Sequence, residues 1–160
     1  MSRLQLALNV DDLDAAVRFY SSLFAVEPAK LKPGYANFVV SDPPVKLVLM
    51  ENPGKGGSIN HLGVEVESSD SVYAEIIRLS QAGLLTEEEI GTTCCFATQD
   101  KVWATGPDQE KWEIYTVLAD SESFGVGRNQ FATDQSATAT SCCGGGAAAE
   151  QASATPPACC

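Results

Sequence analysis

Histidine occurs once in these 160 residues, at position 61, so any site that needs an imidazole has a single candidate. Basic side chains are scarce as well. Ten Lys and Arg stand against 21 Asp and Glu, for a net charge of −11. No basic cluster forms anywhere, which argues against nucleic acid or an anionic membrane as partner. No apolar run approaches the roughly 20 residues of a membrane span. The opening Met1-Ser2-Arg3-Leu4-Gln5 leads almost directly into a strand pattern and shows no signal-peptide character. The spaced cysteine framework of small secreted proteins is missing too, so a reducing cytoplasm is the expected setting. Residues 136–158 are mostly Ala, Ser, Thr, Gly and Pro without one large apolar side chain. Such a segment cannot bury enough surface to offset its ordering entropy, and residues 119–160 are expected to form a disordered, low-complexity, cysteine-containing tail.

What the chain does have is six cysteines, all in adjacent pairs: Cys94-Cys95, Cys142-Cys143 and Cys159-Cys160. Neighbouring residues close a disulfide only through strained geometry. Neighbouring thiolates are, by contrast, a good soft chelate for a thiophilic metal or metalloid. The first pair lies inside an otherwise ordinary folded stretch, Gly91–Thr98, which singles it out. Packing as two small apolar residues is the competing explanation.

Residues 1–118 alternate apolar and polar runs and read as one domain made of two units. Leu4–Val10 reads as a strand, Asp11 and Asp12 as helix caps, and Leu13–Phe24 as an amphipathic helix. Strands follow near Ala29–Lys32, Tyr35–Ser41 and Val45–Met50. After the Gly-rich link Asn52–Ser58 the order repeats: a strand over Ile59–Val66, a helix over Ser71–Ala82, and strands near Glu89–Thr93, Val102–Thr105 and Lys111–Val117. The repeat is visible in the letters. Gln5-Leu6-Ala7-Leu8-Asn9-Val10 aligns with His61-Leu62-Gly63-Val64-Glu65-Val66, so Gln5 and His61 occupy equivalent places in a duplicated unit. The fold class expected is α+β: two β-α-β-β-β modules, residues 3–51 and 58–118, forming a cupped mixed sheet.

Polar residues at two equivalent inward positions are costly unless they serve something. Glu113, in the last strand, lies on the face opposite Trp112 and Ile114. Gln5, His61 and Glu113 together make a set with one amide oxygen, one imidazole and one carboxylate. Three protein ligands leave open positions and suit a catalytic divalent metal such as Fe(II). A satisfied core histidine and a solvated edge glutamate are the plainer explanations.

The double β-α-β-β-β layout, with polar residues on the first strand of each unit and a glutamate on the last, resembles the vicinal oxygen chelate superfamily of glyoxalases, extradiol dioxygenases, fosfomycin-resistance enzymes and bleomycin-binding proteins. The resemblance implies Gln5, His61 and Glu113 as metal ligands. A fourth carboxylate used by glyoxalases has no match in Lys46-Leu47-Val48-Leu49-Met50. The run from Cys94 to Trp103, with Gly106-Pro107-Asp108 and Trp112-Glu113-Ile114-Tyr115, is similar to the organoarsenical carbon–arsenic lyases, a branch sometimes grouped with cadmium-induced proteins. That branch implies Cys94 and Cys95 as ligands of a substrate's trivalent arsenic, and an Fe(II) site that activates O2. The substrate implied is a methyl or aromatic trivalent organoarsenical, and the product arsenite.

Adjacent residues on a regular strand point to opposite faces. A chelating pair therefore requires a turn at 94–95, for which Gly91 is the candidate enabler, and a mobile capture loop is expected there. Lys101 and Asp100 are candidates to orient substrate or depress a thiol pKa, against the simpler expectation of solvated strand-end charges. Trp103 and Tyr115 are candidate pocket walls or plain core. Three other functions stay open: a non-catalytic arsenic- or cadmium-binding resistance protein, an extradiol-type dioxygenase, and a metal-free drug-binding protein. A monomer and a homodimer are both compatible with the sequence.

Overall fold

A computed structural model describes residues 2–125; the cysteine pairs at 142–143 and 159–160, and most of the expected tail, lie outside them. In chain order the elements are β1 (Arg3–Val10), α1 (Leu13–Phe24), β2 (Lys30–Lys32), β3 (Tyr35–Ser41), β4 (Pro44–Glu51), β5 (Ile59–Glu65), α2 (Ser69–Gln81), β6 (Thr86–Cys94), β7 (Ala97–Thr105) and β8 (Lys111–Asp120). All eight strands form one curled sheet in the order β2-β3-β4-β1-β5-β8-β7-β6. The two modules meet at the antiparallel β1–β5 pair, and each closes with a parallel pair, β1–β4 and β5–β8.

Local chemistry explains the helices. Asp12 caps α1, its carboxylate accepting from the Ala15 amide at 2.8 Å. Ser68 caps α2 through the Ser71 amide, and Gly83 takes the left-handed conformation just past the helix end. Each helix lays its apolar stripe on the outer face of its own half-sheet. Leu13, Ala16, Val17, Tyr20 and Phe24 of α1 pack on Leu6, Leu8, Phe38, Leu47 and Leu49. Val72, Ile76 and Leu79 of α2 pack on Val102 and Ile114. Strand alternation then sends Gln5, Ala7 and Asn9 of β1, and Glu113 and Tyr115 of β8, to the concave face.

A third cluster sits on that concave side and joins the modules. Tyr35, Val48 and Met50 of module one meet Cys94, Cys95 and Phe96 of module two, with Phe124 packed against them. The sequence reading shortens β6 and β7. The structure runs them up to a two-residue hairpin turn at Cys95 and Phe96, whose φ values of 54° and 61° are both left-handed. Such a primed turn matches the twist of its flanking strands. Gly91 does not make this turn. It lies at a bulge between Glu89 and Thr92, with φ 62°.

Candidate active site

The pseudo-twofold between the modules brings the polar residues together. Across the β1–β5 ladder Gln5 faces Gly63, and Ala7 faces His61. Glu113 enters beside Gly63 from β8. Gln5 Nε2 is 3.1 Å from His61 Nε2 and donates to Glu113 Oε1 at 2.5 Å, and His61 Nε2 lies 3.2 Å from that same oxygen. All three side chains are buried. Gly63 makes the convergence possible: a Cβ there would lie 2.9 Å from Glu113 Cγ and 3.3 Å from Gln5 Nε2. Among the described residues no three His, Cys, Asp or Glu side chains gather round one point, so the third donor here is an amide.

Val48 occupies the place in module one that Glu113 holds in module two, since Val48 pairs with Ala7 as Glu113 pairs with Gly63. That position carries no carboxylate. With Gln5, Tyr35, Lys46, His61, Cys95, Gln99, Lys101 and Glu113, Val48 lines a narrow cavity of about 10 Å³, room for roughly one water-sized group.

Lys101 is not a solvated strand-end charge. It is 1% exposed, and its ammonium donates to Glu113 Oε2 at 2.9 Å. Burial pulls a lysine pKa down, but the charges of Glu113, Cys94 and Cys95 more than reverse this and leave Lys101 above its ordinary value. Burial likewise pushes a carboxyl up, and the Lys101 charge with its hydrogen bond overrides it, holding Glu113 well below the usual carboxylate range. The buried pair is therefore ionised. Asp100 is buried too, on the opposite face, where it accepts from Ser69 Oγ and the Gly91 amide. It supports the bulge and does not reach the cavity.

Trp103 and Tyr115 stand behind the cavity. Trp103 meets the His61 ring edge-on at 5.4 Å. Tyr115 donates its hydroxyl to Gln5 Oε1, with Glu65 Oε2 a second acceptor 3.2 Å away. Cys95 lines the cavity, while Cys94, fully buried, lies one residue back on β6. Their Sγ atoms are 3.1 Å apart, well beyond a disulfide's roughly 2.0 Å. The capture loop expected at 94–95 is thus a tight, buried hairpin tip, pinned by the Ser121 amide donating to Phe96 O at 2.9 Å.

The sequence reading missed Lys46, Gln99 and Tyr35. Lys46 pairs with Gln5 in the β1–β4 ladder, and alternation from Val48 would have placed it on the concave face. Tyr35 and Gln99 carried no comparable signal.

Residues 3–114 match the sequence profile of the Glyoxalase/Bleomycin resistance protein/Dioxygenase superfamily. The chain belongs to this superfamily. Within it, the chain is 68% identical over 142 residues to the cadmium-induced protein CadI of Mycobacterium tuberculosis, covering 89% of this chain and 93% of that one. It is 54% identical over 124 residues to a trivalent organoarsenical cleaving enzyme of Thermomonospora curvata, covering 77% and 82%. Among solved structures the superfamily fold is shared with the Mn(II)-bound glyoxalase of Novosphingobium aromaticivorans, at TM-score 0.56 and 19% identity over 80% of this chain and 44% of that one.

The donor set fits a divalent metal. The imidazole nitrogen of His61, the carboxylate of Glu113 and the side-chain amide of Gln5 belong to one buried cluster, and the glycine opposite is the residue that leaves them room. Gln5 now offers its NH2 group to Glu113, yet its oxygen can be released, because Tyr115 keeps Glu65 as an alternative acceptor.

Proposed function

We propose that this protein is an enzyme that cleaves the carbon–arsenic bond of trivalent organoarsenicals, methyl or aromatic, in a reaction that requires Fe(II) and O2 and releases arsenite. The observation that carries this reading is that Cys95 lines the same cavity as Gln5, His61 and Glu113. A soft thiol for arsenic thereby adjoins a harder nitrogen and oxygen set for iron. Relatives named trivalent organoarsenical cleaving enzymes, 54% and 40% identical, support it.

Gln5, His61 and Glu113 would hold Fe(II), whose contribution is to activate O2. The chain's own residues do the rest. Cys94 and Cys95 take the arsenic through two sulfurs, which calls for the hairpin tip to lift from Tyr35 and Phe124. The bound arsenical then directs its carbon substituent toward the metal ligands. Lys101 balances the Glu113 charge, and Tyr115 orients the Gln5 amide. Tyr35, Val48 and Phe96 keep the cavity dry, and Trp103 braces the His61 ring. For methylarsonous acid the atoms close on one O2, with arsenite and formaldehyde as products and no outside reductant.

The test is arsenite release from methylarsonous acid by anaerobically Fe(II)-loaded protein, with and without O2. Release that needs both, and that disappears in Cys94→Ser or Cys95→Ser, is the expected result. The similarity to a cadmium-induced protein favours a second reading, metal or metalloid sequestration. Tight binding of the arsenical without release would select it.

A further inference from the structure

Asn60 precedes His61 on β5, and its Oδ1 is 2.8 Å from His61 Nδ1. Taken alone this contact has two meanings, because an amide presents either oxygen or NH2 and an imidazole nitrogen can donate or accept. The rest of the network removes the choice. Ser58 Oγ donates to the carbonyl of Lys55 at 2.6 Å. A backbone carbonyl only accepts, so the single hydroxyl proton of Ser58 is committed there. Asn9 lies 2.9 Å from Ser58 Oγ and must offer it Nδ2. Its oxygen then faces the other way, where Asn60 Nδ2 donates to it at 2.9 Å and Asn52 Nδ2 at 3.3 Å. With its NH2 group spent on Asn9, Asn60 has only its oxygen left for His61. The ring nitrogen Nδ1 must carry the proton.

We infer that this relay, from the Lys55 carbonyl through Ser58, Asn9 and Asn60, fixes the tautomer of His61, so that Nε2 keeps a bare lone pair facing Gln5 and Glu113. The purpose assigned to it rests on the reading of His61 as a metal ligand. A neutral imidazole binds metal through an unprotonated nitrogen, and the hydrogen bond at the other nitrogen determines which one that is. Asn60 and Asn9 are positioning residues in this scheme. The relay begins in the Gly-rich link between the modules, so the segment that joins the two halves also sets the protonation of their shared ligand. Asn9 is buried at 5% exposure, and its side chain bonds Ser58 and Asn60 within the relay and Asn52 beside it.

The single histidine makes the test direct. Protein labelled with 15N-histidine, kept metal-free and at mildly alkaline pH, reports the tautomer by NMR without iron, arsenic or turnover. The wild type is expected to show the Nδ1–H form. Asn60→Leu removes the acceptor and should move the ring toward Nε2–H, and Co(II) affinity should fall about 10- to 100-fold. Asn60→Asp restores an acceptor and should restore the Nδ1–H signal. Ser58→Ala, at an exposed position that does not threaten folding, frees the Asn9 amide to turn and should give a mixture of the two forms. An Nε2–H spectrum in the wild type overturns the inference. So does a folded Asn60→Leu or Ser58→Ala protein whose tautomer is unchanged. Failure of the wild type to bind Co(II) or Fe(II), with the Nδ1–H form intact, would instead count against the proposed function.

Discussion

At the scale of single residues, two positions control the site without supplying a metal donor. Gly63 leaves the space into which Gln5 and Glu113 project. A methyl group there meets Glu113 Cγ at 2.9 Å, and neither buried partner can swing to solvent. Gly63→Ala should cost about 1–3 kcal/mol by overpacking and weaken divalent-metal binding at least tenfold, read by calorimetric titration. Unchanged affinity would show that the three donors do not act on a common ion. Lys101 is the counter-charge of a fully buried carboxylate. Lys101→Met removes one member of the pair and should destabilise the metal-free protein by about 3–5 kcal/mol in urea titrations. A divalent ion supplies the missing positive charge, so Fe(II) added anaerobically should stabilise this variant more than the wild type. Equal stabilisation of both proteins would contradict placing the ion at Glu113. Gly63 was hard to see in the sequence, because a glycine on a strand carries no signal of its own. Lys101 stood out beside the cysteines, but its pairing with Glu113 comes from the neighbouring strand.

At the scale of elements, the hairpin β6–β7 departs most from what its sequence suggests. Thr92-Thr93-Cys94-Cys95-Phe96-Ala97 lacks the Asn-Gly or Asp-Gly pair that marks a two-residue turn, so the turn was read as a loop enabled by Gly91. Burial offsets the left-handed backbone at Cys95 and Phe96. Phe96 packs on Tyr35 and Phe124, with ring centroids 5.6 Å and 5.4 Å apart. The helices were readable because caps and a 3.6-residue stripe are local. The first half of β7, residues 97–101, was not, because the hairpin tip it leaves is supported by module one. The boundary at residue 118 was drawn on composition, yet β8 runs to Asp120 and Phe124 rejoins the concave cluster. Gly125 lies against Thr93, where a Cβ would sit 2.0 Å from the carbonyl oxygen. A chain ending at residue 125 should therefore keep the thermal midpoint of the full protein. One ending at residue 120 should lose about 1–3 kcal/mol with the Phe124 contacts. Identical midpoints for the two truncations would show that this strap contributes nothing to the hairpin tip.

At the scale of the whole molecule, the duplication was legible because Gln5–Val10 and His61–Val66 align letter for letter in pattern. The way the halves join was not, since register across β1–β5 depends on residues 51 to 62 apart in sequence. The seam is electrostatic as well as apolar. Glu65 of β5 receives a two-pronged contact from Arg3 of β1, at 2.9 and 3.0 Å, and Lys46 of β4 stands 3.3 Å away. Tyr115 of β8 reaches the same carboxylate at 3.2 Å, so one side chain ties together the four central strands. Burial would raise the Glu65 pKa, but the hydrogen bond from Arg3 and the Lys46 charge prevail and hold it below the usual carboxylate range. A group whose folded pKa is depressed stabilises the fold fully above its unfolded value, and loses that contribution as pH falls through the folded one. Glu65→Gln keeps the shape and removes the charge. At neutral pH it should lower stability by about 1.5–3 kcal/mol, the range for hydrogen bonds to charged groups. As the medium is acidified below the usual carboxylate range, the wild type should progressively lose this advantage and the two urea midpoints should converge. A gap that stayed constant from neutral to acid pH would assign the loss to packing and would remove the charge of Glu65 from the forces that hold the modules together.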